Sequence, residues 1–234
     1  QTKMFQGTSI TKANPADFSF TVYLTTEKDE TIVKSLLTDY DATEGQTRIN
    51  SFDLYIVSGE STFKLNECVI TSGDFNFGKG QPQTLTVSGQ AQRLQRIGNA
   101  SYSLPGSLVS ASSTRTPTLS LIDVEVSGSD VSNIVSATLS VQNEIAWTPF
   151  ETLQSSLSVT NATNAMYPSS FTLGRRVVSG SIIQYITNNN SSTVQTFNAD
   201  TTVRLKTVVD GSTFLDANLA NCMFTKRTDT AEVF

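Results

Sequence analysis

Chemistry near neutral pH usually needs an imidazole, and this chain contains no histidine. That removes the Ser–His and Cys–His nucleophile systems, the zinc motifs built on His and the usual general base. Two cysteines, Cys68 and Cys222, cannot alone close a four-ligand zinc site. They read as free thiols, with one disulfide as the alternative in an oxidising compartment. The chain has no P-loop, no GxGxxG dinucleotide motif and no GxSxG elbow. No cofactor is implied, and the chain reads as something other than an enzyme.

Carboxylates are the remaining chemical groups. Asp123 and Glu125 lie two apart in an alternating segment, so they face one side of a sheet. Such a pair could serve glycoside hydrolysis or form an acidic stripe, but a solvated strand face is the commoner outcome. Asp39, Asp41 and Glu44 lack the spacing of a calcium hand. Arg93, Arg96, Arg175 and Arg176 are candidates for ion pairs across a subunit interface, with ordinary surface pairs as the alternative. Four Asn-x-Ser/Thr sites, at Asn99, Asn161, Asn189 and Asn190, are what chance yields in a chain this rich in those residues.

Net charge is −5, with 38% apolar and 16% charged residues. An acidic chain gains nothing from neutralising phosphates, so tight wrapping of nucleic acid is not expected. It could still line a path along which a polyanion slides, because like charges repel. No apolar run reaches the length of a membrane-spanning helix, so no membrane insertion is expected. Gln1–Gly7 lacks the apolar core of a signal peptide.

The elements that would position these groups are mostly strands. Phe18–Leu24 alternates as a strand. Thr26 then reads as the cap of a helix whose apolar face is Ile32, Val33, Leu36, Leu37 and Tyr40, ending before a polar loop at Asp41–Gln46. Phe52–Val57 and Thr62–Ile70 flank a Gly turn as a hairpin. Phe75–Phe77 and Thr84–Val87 flank another turn, and Gln90–Ile97 fits either a strand or a helical turn. Residues 101–116, rich in Ser and Thr, read as a linker or a long exposed loop in a single domain spanning 1–234. Thr118–Val126 and Ile134–Val141 flank a Ser-Gly-Ser-Asp turn. Val177–Ile186 is a long strand in which Gly180 marks a bulge or a close backbone approach. Thr201–Val209 runs into Asp210-Gly211, a hairpin signal.

Two later segments carry a resemblance. Ile134–Trp147 (IVSATLSVQNEIAW) and Phe171–Tyr185 (FTLGRRVVSGSIIQY) resemble strands of the tail tube (major tail) proteins of tailed bacteriophages. The order strand–helix–strand from Phe18 to Val57 fits as well. The resemblance implies an all-β fold, a β-sandwich or partial barrel with one short flanking helix. It implies six copies in a ring, whose sheets join into a continuous β-barrel around a channel for DNA passage during ejection. Rings would stack into the tail tube of the virion, with a tail terminator, a baseplate and a sheath as further partners. Candidates for an acidic channel wall are Asp53, Glu67, Asp123, Glu125 and Glu144. The alternative is a secreted or cell-surface β-sandwich, an adhesin or carbohydrate-binding module, with Trp147 and Tyr167 as stacking residues.

Overall fold

A computed structural model describes residues 15–25, 30–41, 46–58, 60–78, 80–99, 104–105, 122–147, 167–168, 170–187, 199–209 and 212–229. Thirteen strands and one helix lie among them. The all-β expectation therefore holds, and the architecture is a sandwich of antiparallel sheets.

The larger sheet is built on five strands. They are β1 (Ala16–Tyr23), β6 (Thr84–Ala91), β5 (Ser61–Gly78), β10 (Ile134–Trp147) and β11 (Phe171–Gln184), in that spatial order. Every neighbouring pair is antiparallel. β5 is 18 residues long and does two jobs. Its second half lies between β6 and β10, while its first half pairs with β4 (Phe52–Ser58) and β7 (Arg93–Asn99). The change of partners falls at Glu67, whose φ of 48° is left-handed. A bulge between Ile70 and Ser72 follows. Bulges bend a strand and increase its twist, which lets one strand serve two sets of partners.

The second sheet has the order β13-β12-β8-β9, from Ser212–Cys222, Thr201–Val209, Ile122–Val126 and Ser129–Asp130. Ser127 and Gly128 link β8 to β9, both at positive φ. That is the pattern of a tight two-residue hairpin turn. The expected Ser-Gly-Ser-Asp turn thus closes a short hairpin, and the chain then crosses to the other sheet at β10 rather than pairing back on β8.

Inward side chains of the two sheets form one core. Ile70, Phe75, Phe77, Leu85, Val87, Leu139 and Val141 come from the first, and Val124, Val126 and Leu205 from the second. Each fully buried side chain of this size contributes roughly 1.5–3 kcal/mol. A smaller cluster of Leu65, Cys68 and Ala91 fills the bend of β5.

The helix α1 (Glu30–Leu36) is shorter than its apolar spacing suggests. Thr38–Asp41 (β2), Tyr40 included, is instead a strand paired with Gln46–Ile49 (β3). Pairing in a local hairpin overrode helical periodicity there. Leu36 is fully buried against Gly73 of β5, where a Cβ would collide with its side chain. Two further boundaries differ from expectation. Phe75–Phe77 is part of β5 rather than a separate strand, and Phe171–Leu173 is continuous with Val177–Gln184 in β11. The linker expected at 101–116 lies outside the described residues, apart from Leu104 and Pro105. Thr26, Asp210 and Gly211 lie outside as well.

Candidate functional site

Alternation along each strand sends one set of side chains to the core and the other to the far face of the large sheet. Register lines up that far face in rows. One row is Tyr23–Thr84–Asn76–Thr138–Ser181. The next is Thr21–Thr86–Asp74–Ser140–Ser179, and the third is Ser19–Ser88–Ser72–Gln142–Val177. Most of these are short hydroxyl or amide side chains. Several pair across strands: Ser19 with Ser88 at 3.1 Å, Thr21 with Thr86 at 3.0 Å and Thr138 with Ser181 at 2.8 Å. Cross-strand hydroxyl pairs of this type support the sheet by some tenths of a kcal/mol each.

No Lys or Arg stands in these three rows, and the one charged residue in them is Asp74. Asp17 lies just beyond, where it accepts from Gln90 at 3.2 Å. These rows are therefore wettable and weakly negative. At the lower end of the face two open concavities of about 520 and 420 Å³ share Thr71, beside the bulge in β5. Glu144, Arg175 and Val177 line the first, and Asp17 and Gln90 line the second.

The sequence candidates fall in several places. Glu144 is exposed at the edge of this face, accepts the Arg175 backbone N–H at 3.3 Å and packs on Gly174. Asp53 and Glu67 lie on the β4–β5 extension. The Asp53 carboxylate meets the Lys64 ammonium at 2.7 Å and accepts the Glu67 N–H at 3.1 Å. Burial pushes the Asp53 carboxyl up, but the Lys64 hydrogen bond, the Glu67 N–H and the charge of Lys64 outweigh it and hold the group below its ordinary value. Asp123 and Glu125 belong to the second sheet. They do share a side, together with Asp130, and their oxygens lie within 4.8 Å of one another. Exposed carboxylates commonly gather so without an ion, and here Arg204 reaches Glu125 at 3.6 Å while binding Asp216 through two hydrogen bonds of 2.8 and 2.6 Å.

The arginines divide in the same way. Arg93 sits over the Tyr167 ring at 5.9 Å, and Arg96 is exposed on β7. Arg175 is exposed on β11. Arg176 points to the core side, where burial lowers its pKa. Its Nε donates to Asn143 Oδ1 at 2.9 Å and its Nη2 to the Leu36 carbonyl at 3.2 Å. A cation at a helix C-terminus complements the exposed carbonyls there. Trp147 donates to Gln90 at 3.0 Å and packs edge-on against Phe171, so its indole is held within the fold. Both cysteines are free. Burial raises the Cys68 thiol to about 11.

Charged residues do not mark the polar rows, whose signal in the sequence is the small hydroxyls on alternate positions of five strands. The large sheet thus has one dry, core-facing side and one wet, hydroxyl-lined side. The chain belongs to the bacteriophage baseplate tube protein family, whose model matches residues 1–234. No curated protein matches it. Membership makes this a structural protein of the phage tail and baseplate, in place of the secreted adhesin or carbohydrate-binding alternative.

Proposed function

We propose that the chain is a tube subunit which assembles with copies of itself into stacked rings around a channel, and that the hydroxyl-lined face is the channel wall. The observation that carries this is the set of three registered rows, which span five strands with one carboxylate and no cation. DNA sticks to a surface through its phosphates, by releasing counterions to Lys and Arg. The three rows offer no such contacts, Arg175 lies beyond them at the lower end of the face, and sparse carboxylates keep the polyanion off the surface. Short hydroxyls fill the middle of the rows and stay hydrated, with Tyr23 and Val177 only at row ends. Six copies per ring, and docking to terminator, baseplate or sheath proteins, follow the tail-tube resemblance.

The test is direct. Purified chain at high concentration is examined by negative-stain imaging and light scattering, and hollow rings or tubes are expected without any added ligand. A strictly monomeric protein under those conditions sinks the reading.

A further inference from the structure

We infer that neighbouring copies join edge to edge, β11 of one against β1 of the next, with the two strands parallel. The inference rests on the tube reading above and adds the junction to it. Strands β1, β6, β5, β10 and β11 are antiparallel in turn. Five is odd, so the two edge strands of this sheet point the same way. A rotation that carries one copy onto the next preserves strand direction within the ring. It therefore brings β11 against a β1 running alongside it. A two-fold dimer would instead pair an edge with itself, antiparallel, and would close without forming a ring.

Both edges are fit for pairing. Among the described residues, each of β1 and β11 has a strand on one side alone. Neither contains Lys or Pro, the residues that commonly block an edge. On β11, Val177 and Val178 are 37% and 42% exposed on opposite faces, and Ile183 is 56% exposed. A strand exposing apolar side chains to both faces lacks a cover that a neighbouring sheet would supply.

Charge sets the direction independently. Ser19 and Val177 end the same row. Asp17 lies two residues before Ser19, and Arg175 two before Val177. Both point to the polar face, at the same end of the sheet. Among the described residues the Arg175 guanidinium has no partner. A parallel junction brings Arg175 of one copy to the Asp17 end of its neighbour, whereas an antiparallel one brings it to Tyr23. Closing a barrel requires a stagger, and an even stagger keeps the faces matched. Two residues amount to about 6.6 Å, which the long arginine side chain can bridge.

Rings or tubes of the full chain are to be imaged by electron cryomicroscopy at a resolution that traces strands. The expected map has β11 beside, and parallel to, β1 of the next copy. An antiparallel contact, or a junction through other strands, overturns the inference and leaves the tube reading standing. Absence of rings overturns the tube reading itself, and the junction with it. In parallel, Arg175→Glu and Asp17→Arg are each expected to lower the assembled fraction about tenfold, and the double variant to restore it. Assembly unchanged in both single variants, with monomer melting unaltered, overturns the ion pair.

Discussion

On the core side of the sheet, Arg176 of β11 donates through Nε to the side-chain oxygen of Asn143 of β10, 2.9 Å away. Asn143 is buried, and its amide in turn donates to the carbonyls of Leu36 at 2.9 Å and Ile70 at 3.2 Å. One amide thus ties the end of α1 and the bend of β5 to the edge strand. Each buried polar atom left without a partner costs about 1–3 kcal/mol. Asn143→Leu is therefore expected to destabilise by about 2–4 kcal/mol in urea denaturation. Combining it with Arg176→Met should cost less than the sum of the two single changes, since the stranded guanidinium is removed. Strict additivity would show that the two residues do not act as a unit.

Gly180 lies on β11 opposite Leu139, and a Cβ there would strike the carbonyl oxygen of Thr138. Backbone cannot move aside as a side chain can. Gly180→Ala should cost about 1–3 kcal/mol. Ser179→Ala, on the exposed neighbour, should change stability by less than about 0.5 kcal/mol. Equal thermal midpoints for the two variants would remove this close approach as a constraint.

The Asp53–Lys64 pair predicts a pH effect. Asp53 is held below its ordinary value of 3.8. Its contribution is present above the unfolded value and is lost as pH falls through the folded one. Lys64 is held above its ordinary 10.5, chiefly by the hydrogen bond to Asp53, so its contribution is lost as pH rises through the folded value. Asp53→Asn should cost under about 1 kcal/mol at neutral pH, because water screens the pair. The difference from the unaltered chain should shrink in acid, as measured by urea titrations from neutrality downward. A difference that stays constant contradicts the assignment.

Asp74 is the acid at the centre of the polar face, between Thr86 and Ser140. Under the tube reading, Asp74→Lys repeats a cation around every ring. Rings should still form, because the position lies away from both edge strands. Particles carrying it should deliver DNA less efficiently, and the tube should acquire salt-dependent DNA binding. Unchanged delivery together with no DNA retention would argue that another surface faces the channel.

Much of this protein was legible as sequence. Period-two alternation and turn residues announced a β protein, and the hairpins β4–β5 and β12–β13 follow from local patterns that pair neighbours in the chain. Alternation reports that Thr138, Ser140 and Gln142 share a face; it does not report what that face meets. Only the tertiary structure decided that β1 and β11 are edges among the described residues, that β5 changes partners at Glu67 and that Arg176 turns inward while Arg175 turns outward. These depend on contacts between residues up to 140 positions apart, such as Arg176 and Leu36. Local propensity carries no information about such partners, and strand pairing overrides it where the two disagree, as in the short hairpin at Thr38–Asp41.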